Sequence, residues 1–376
     1  MGSSSGLNQR LVVLTGNPNC GKTTLFNAFT GLRAKVGNYA GVTVERKEGR
    51  LRGTPPDRPV TVIDLPGTYS LSPRSIDEQI VRDVLLRRLP EVPAPDLVVA
   101  VVDASNLERH LYFATQVAEL GLPTVIALNM IDVAKQNGHE IDIRRLEKAL
   151  GLPVFPMVAS TGQGVDALQA HVVRTLADSG SAPSGVLRCP LPPALDHEVR
   201  QLATLLGPSP HPESLSFSEA LLLLSEDRPQ AVAALRHGPG LTEALAAASA
   251  RLGQAGIDWR SSAIEARYQW VGRIHNEVVT ERLAAGETAS DRIDRWVTHP
   301  VWGVVLFLLL MALMFQTIFT LAHWPMEALE HGVDWLGRLV GNWIPPGDFQ
   351  SLVVNGAIAG AGSVVVFLPQ IVLLFV

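Results

Sequence analysis

Only two cysteines, Cys20 and Cys189, stand in a chain of 376 residues. That excludes a disulfide framework or a cysteine-based metal cluster and suits a reducing compartment. Aromatic residues are few, and charged residues make up just 18% of the sequence. The net charge of −5 supplies no basic footprint, so nucleic acid is not an expected partner. No apolar run stands near the N-terminus. The opening Met1-Gly2-Ser3-Ser4-Ser5-Gly6 is small and polar, which excludes a signal peptide and predicts a flexible leader over residues 1–8, with the following domain in the cytoplasm.

The shortage of charge is local. Neither Val301 to Ala322 nor Phe349 to Val376 contains Asp, Glu, Lys or Arg, and each run can cross the roughly 30 Å hydrocarbon core of a lipid bilayer as a helix. The expected order is an amphipathic juxtamembrane segment over 291–300, a first span over 301–322, an external connection over 323–350 and a second span over 351–376. Arg292 and Arg295 before the first span assign that side to the cytoplasm, while Trp296, Trp302, Trp324, Trp335 and Trp343 suit the water interface. His323, Glu327, Glu330, His331 and Asp334 can attract a divalent cation, but a solvated polar face is the plainer reading. Gly356 and Gly360 make a small-xxx-small face for a neighbouring helix. Asn355, Pro369 and Gln370 can break the second span and open carbonyls to an ion path. Two spans cannot enclose a pore, so either the sequence continues past Val376 or copies assemble.

Ahead of these runs, over residues 9–178, apolar strand-like segments alternate with amphipathic helical ones. The strands fall at Leu11–Leu14, Val60–Ile63, Leu97–Val102, Thr124–Leu128 and Val154–Val158, which predicts an α/β domain with a mostly parallel sheet and helices on both faces. Ligands of such sheets bind beyond the strands' carboxyl ends. The residues there carry one chemistry. Gly16-Asn17-Pro18-Asn19-Cys20-Gly21-Lys22-Thr23 follows the first strand and opens a helix at Thr24, the setting of a phosphate-binding loop. Its backbone N–H groups face phosphate, Lys22 reaches the terminal phosphates and the Thr23 hydroxyl suits Mg²⁺. Asp64-Leu65-Pro66-Gly67 follows the second strand, with an acid for Mg²⁺ and an N–H for a γ-phosphate. Asn129-Met130-Ile131-Asp132 follows the fourth, where the carboxylate can accept two hydrogen bonds from guanine and none of that pattern from adenine. Between loop and acid, Gly37 to Gly41 flank an exposed aromatic, Tyr39, and lead to Val42 and Thr43, whose hydroxyl can complete the Mg²⁺ shell when a γ-phosphate is present. Ala159-Ser160-Thr161-Gly162-Gln163-Gly164 can offer N–H groups to the base oxygen.

From residue 188 to 290 strands disappear. Helices are expected over Ala194–Leu206, Phe217–Leu224, Gln230–Arg236, Leu241–Ala255 and about Ser261 to Leu283, separated by Pro and Gly clusters. His197, His211, His237 and His275 are too scattered for a metal site. Arg267, Tyr268 and Trp270 can dock the last helix on the α/β domain, although bundle packing is the plainer account of the aromatics.

The segments GNPNCGKTT, VGNYAGVTVERKEG, DLPGTYSLSP, DASNLERHLYFATQVAELG, NMID and VASTGQG closely resemble the GTPase domain of the ferrous iron transport protein B (FeoB) family. DRIDRWVTHPVWG and GAIAGAGSVVVFLPQIVLLF resemble its first membrane segments. The resemblance implies GTP and GDP as ligands, Lys22 and Thr23 on phosphate and Mg²⁺, and Gly16 to Thr24 as the phosphate loop. It implies Gly41, Val42 and Thr43 as switch I, Asp64, Pro66 and Gly67 as switch II, and Asn129, Met130, Asp132, Ala159 and Ser160 around guanine. It also implies a regulatory helical domain, Fe²⁺ as the transported ion, the bacterial cytoplasmic (inner) membrane as location, and homo-oligomers or small accessory proteins as partners. Thr68 follows Gly67 where Ras-like GTPases carry the Gln that orients water, so hydrolysis should be slow. Asn19 stands where potassium-stimulated GTPases hold K⁺. The runner-up reading is a membrane-tethered GTPase acting on a soluble or ribosomal partner without transport; glycines and Gln370 inside the second span favour the permease.

Overall fold

The computed structural model describes residues 10–39, 42–55, 57–177, 187–206, 213–226, 239–281 and 289–375, in two units, Met1–Ala285 and Gly286–Val376. Gly41, His211, His237 and the expected helix Gln230–Arg236 lie outside the described residues. The first unit opens with β1 (Arg10–Gly16), α1 (Lys22–Thr30), β2 (Ala34–Asn38), β3 (Glu45–Arg50), β4 (Val60–Asp64), α2 (Ile76–Leu85) and β5 (Leu97–Asp103). It continues with α3 (Leu107–Glu119), β6 (Thr124–Asn129), α4 (Ile131–Gln136), β7 (His139–Ile141), α5 (Ile143–Leu150), β8 (Val154–Pro156) and α6 (Val165–Ala177).

Seven strands form one sheet in the order β2-β3-β4-β1-β5-β6-β8. The pairs β4–β1, β1–β5, β5–β6 and β6–β8 are parallel, and β2–β3 and β3–β4 antiparallel. The parallel strands are apolar throughout because helices cover both faces. Val12, Leu14 and Val62 pack with Phe26 and Leu168 on one side, and Leu11, Val13 and Ile63 with Val81 and Phe113 on the other. The two antiparallel strands, Ala34–Asn38 and Glu45–Arg50, are exposed or half-buried and carry charge instead of an apolar stripe, so hydrophobic periodicity does not announce them.

The helical part contains α7 (Pro193–Leu205), α8 (Glu213–Leu224) and the helices Pro239–Gln254 and Ser262–Val278. Leu195, Val199, Phe217, Leu245 and Leu252 make its core. The last helix ends at Val278, short of the expected Leu283. There the backbone turns extended, and Val279–Glu281 pairs antiparallel with β7. That helix docks on the α/β domain rather than only in its own bundle. Arg267, 4% exposed, forms an ion pair with Glu119 of α3, 5% exposed, and donates to Thr115 Oγ1 at 3.2 Å. Glu119 also accepts from the Cys189 N–H, and Tyr268 stacks on Tyr112 with centroids 4.6 Å apart. On the other side of α8, Arg82 of α2 pairs with Glu226 at 3.1 Å.

In the second unit one helix, Trp302–Trp343, runs unbroken through Pro325. Most of the expected external connection is therefore helix continuous with the first apolar run. The second run is segmented: a π-helical stretch Leu352–Ile358, a helix Ala359–Val366 and, past Phe367, a helix Leu368–Phe375. Both helical stretches are long and apolar enough to cross a membrane. They pack closely at Gly362, where a Cβ would lie 2.3 Å from Val333 Cγ1, while a Cβ at Gly356 or Gly360, the expected contact face, would meet no other helix within 4 Å. Among the described residues no cluster of three or more His, Cys, Asp or Glu could hold a metal ion, and His323 lies 3.4 Å from Glu327.

Removing one partner of a buried ion pair strands the other charge, at a cost of about 3–5 kcal/mol. Arg267→Met is expected to lose stability on that scale and Arg267→Met/Glu119→Leu to recover most of it, as read by urea unfolding of the α/β and helical part.

Candidate functional site

The site lies at the carboxyl ends of β1, β4 and β6. β1 ends at Gly16, and the turn that follows passes through Asn19 at φ 62° and Gly21 at φ 92° before α1 begins at Lys22. Gly21 has no alternative: a Cβ there would sit 2.2 Å from Asn129 Nδ2. The Asn129 amide holds two loops at once. Its Nδ2 donates to Cys20 O at 2.9 Å, and its Oδ1 accepts from Ala159 N–H at 2.9 Å. The Ala159 N–H expected to face a base is therefore already taken, as are those of Thr161 and Gly162, which donate to Val158 O. Ser160 and Gly164 N–H are left without an acceptor among the described residues.

Lys22 is 8% exposed, and its ammonium donates to Gly16 O (3.1 Å) and Asn17 O (2.8 Å). No carboxylate pairs with it among the described residues. A buried cation resting only on neutral carbonyls at a helix N-terminus is a strong demand for an anion. One residue on, Thr23 Oγ1 donates to Asp64 Oδ2 at 2.9 Å. The other carboxylate oxygen, Oδ1, is buried with no partner. A hydroxyl and an unsatisfied carboxylate oxygen side by side are hard donors that fit Mg²⁺. Burial pushes the Asp64 carboxyl above the usual carboxylate range, against the pull of the Thr23 hydroxyl and the Lys22 and Lys47 ammoniums.

Gly67 packs on the loop; a Cβ would fall 2.9 Å from Pro18 Cα. The next residue, Thr68, is fully buried and faces away from the loop's ligand side, its hydroxyl donating to Ser70 O at 2.8 Å and lying 3.3 Å from Glu78 Oε1. Thr43 is exposed, and its hydroxyl has no partner among the described residues, so the structure does not bring it to Thr23 and Asp64. Tyr39, expected to be exposed, is 2% exposed and packs with Leu65 and Leu71. The exposed strands β2 and β3 carry it back over the sheet, where its ring finds an apolar face. Met130, at φ 61°, turns the chain into α4, and Asp132 stands exposed in the first turn of that helix. Asn19 and Thr24 are exposed, and Pro66 and Val42 half-buried.

Residues 10–172 match the family model described as ferrous iron transport protein B. The cytosolic domain of L. pneumophila FeoB is 32% identical with a TM-score of 0.60, over 72% of this chain and 99% of that one. The chain belongs to the ferrous iron transport protein B family. A GDP-bound mutant of the S. thermophilus FeoB G-domain is 33% identical with a TM-score of 0.63, over 72% of this chain and 100% of that one. A Porphyromonas gingivalis Fe(2+) transport protein A/Fe(2+) transporter FeoB fusion protein is 38% identical over 97% of this chain and 43% of its own length. The chain spans about half the length of the curated FeoB relatives it matches.

Three features of this FeoB chain escape motif reading. Ser75 caps α2 by accepting from Glu78 N–H, while Glu78 reaches back to accept from Arg74 N–H at 2.8 Å, one residue before the cap; the Ser-x-x-Glu spacing is the signal that could have found this N-terminus. Gln116 of α3 accepts from Leu71 N–H at 2.9 Å and ties the segment after Gly67 to the helix that also carries Glu119. Asp103, at the end of β5, accepts from Ser105 N–H and Asn106 Nδ2, and its own N–H donates to His110 Nδ1, a ring that burial keeps below its usual pKa.

A raised folded-state pKa means that ionised Asp64 penalises the fold, by nothing below its unfolded-state pKa and fully above the folded one. Without metal or nucleotide, Asp64→Asn is expected to be more stable than wild type at neutral pH, with the gap closing as pH falls through the raised value. Unfolding midpoints between about pH 4 and about pH 8 check this.

Proposed function

We propose that this chain is the GTP-binding, GTP-hydrolysing regulatory part of a ferrous iron transporter of the bacterial cytoplasmic membrane. The observation that carries the reading is Lys22, a buried ammonium with only Gly16 O and Asn17 O as acceptors, set at a helix N-terminus. Phosphate oxygens are the partners that this cation and the loop N–H groups lack. The S. thermophilus neighbour holds GDP, and the curated relatives are named Fe(2+) transporters. Membership in that family supports a cytosolic G-domain ahead of the two apolar helices.

In this reading Lys22 leaves its own loop for the terminal phosphates, and Thr23 and Asp64 hold Mg²⁺, which neutralises charge on the phosphate oxygens. Asp132 reads guanine, with Asn129 fixing the floor of the site and Ser160 N–H facing the base oxygen. Thr43 swings in from its exposed position and Gly67 offers its N–H when a γ-phosphate is present. Thr68 is engaged within its own loop, so no side chain there orients water and intrinsic hydrolysis is slow. Asn19, exposed and unpaired, holds K⁺, which supplies positive charge beside the phosphates. Nucleotide state passes from Gly67 and Leu71 through Gln116 to α3, and from Glu119 to the helical domain. Fe²⁺ selection and permeation belong to the membrane part, with small accessory proteins and self-assembly as further partners; the P. gingivalis fusion protein joins a transport protein A to such a chain.

Asp132→Asn is expected to weaken GTP on the order of a hundredfold, since two charge-assisted hydrogen bonds are lost, and to gain xanthosine triphosphate in its place. Competition binding reads both, and unchanged guanine preference contradicts the assignment. Hydrolysis is expected to run faster in K⁺ than in Na⁺, and Asn19→Ala to abolish the difference; equal wild-type rates in the two salts contradict the cation role.

A further inference from the structure

A second cavity, of about 310 Å³, opens away from the phosphate loop, between the segment after Gly67, α3, α8 and the start of the Ser262–Val278 helix. Its charge is unbalanced in one direction. Of the acids that line it, Glu119 is committed to Arg267 and Glu226 to Arg82. Arg74, on the switch II side, and Arg260, on the helical side, line it too, and neither has a carboxylate partner among the described residues. Among the described residues the Arg260 guanidinium rests on the Trp259 ring, 4.8 Å from its centroid. The nearest acids bond to backbone and not to these guanidiniums: Glu78 accepts from the Arg74 N–H, and Asp258 from the Arg260 N–H. Ser72 and Ser261 are in the lining as well, and their hydroxyls have no acceptor among the described residues. Leu221, Leu222 and Ile264 give the same cavity an apolar wall.

Two exposed arginines without a carboxylate partner and two serines whose hydroxyls lack an acceptor among the described residues line a space with an apolar wall, a composition that suits an anion carrying an organic body. A planar guanidinium matches phosphate oxygens in bidentate fashion. We propose that this cavity binds a small phosphate monoester, gripped by Arg74 from the switch II side and Arg260 from the helical domain, and that the bound anion restrains switch II against the helical domain. Arg74 lies one residue before the Ser75 cap of α2 and three after Leu71, which Gln116 holds. An anion shared by Arg74 and Arg260 would therefore oppose any movement of this segment away from the helical domain, and bound nucleotide would leave more slowly.

The restraint on nucleotide release rests on the GTPase reading, whereas the cavity does not, so the two are tested separately. The full chain in detergent, saturated with GDP and Mg²⁺ to fill the phosphate loop, is titrated calorimetrically with phenyl phosphate and, in parallel, with inorganic phosphate. Release of a fluorescent GDP analogue is timed with and without each. Phenyl phosphate is expected to bind at millimolar concentration or below, more tightly than inorganic phosphate, and to slow release several-fold. Arg74→Ala and Arg260→Ala are each expected to weaken binding roughly tenfold without changing GDP affinity, and Arg74→Lys to retain part of it. Inorganic phosphate binding as tightly as phenyl phosphate would overturn the organic body. Binding unaffected by either alanine variant, or no heat at concentrations that fill millimolar sites, would overturn the site. Unchanged release at saturation would overturn the restraint. A chain that binds phenyl phosphate but no guanine nucleotide would sink the GTPase reading and leave the cavity proposal standing.

Discussion

The Asn129 side chain commits both ends of its amide to backbone, Nδ2 to Cys20 O and Oδ1 to Ala159 N–H. That one residue ties the phosphate loop, the end of β6 and the turn before α6 into a single rigid floor. The tie explains neighbours that otherwise look arbitrary. Gly21 is required because a side chain would collide with the amide, and Met130, the next residue after Asn129, takes the left-handed conformation that turns the chain from β6 into α4. Asp132 follows in the first turn of the short helix that leaves this floor, so in the proposed reading base recognition and phosphate binding are parts of one arrangement.

Around that floor the structure is divided between rigid and adjustable parts. Lys22, Thr23 and Asp64 are in mutual reach before any ligand arrives, whereas Thr43 stands outside. Tyr39, four residues before Thr43, packs with Leu65 and Leu71, so the segment that carries Thr43 and the segment that carries Gly67 share an apolar contact. From Leu71 the connection runs by Gln116 into α3, and three residues on by Glu119 to Arg267 of the helical domain. A single helix thus touches the segment after Gly67 with one turn and the helical domain with the next. Contacts of this kind can bias a two-state element without any large displacement.

The sheet's parallel strands were legible because burial on both faces leaves uninterrupted apolar runs, and the loop motifs were legible because the chemistry of phosphate and guanine restricts residue types at fixed spacing. The antiparallel pair β2–β3 was not, since its residues are charged and solvent-facing and its pairing is set by the neighbouring β4. Tyr39 misled for a related reason: glycines on either side suggest exposure, but burial is decided by the sheet face above it. The Arg267–Glu119 pair joins residues 148 apart in sequence, and nothing local distinguishes those two from the other charges on amphipathic helices. In the membrane unit, counting charges located the apolar runs but not their helical extent, because the residues from His323 to Trp343 continue the helix with a mixed polar and apolar face.

The central claim is that nucleotide state reaches iron movement through the phosphate loop. The most direct measurement is Fe²⁺ uptake by the full-length transporter carrying Lys22→Ala, in membranes with matched protein levels and GTP present. The account predicts uptake reduced to near background, because the buried cation that receives the phosphates is gone. Uptake equal to wild type would contradict it.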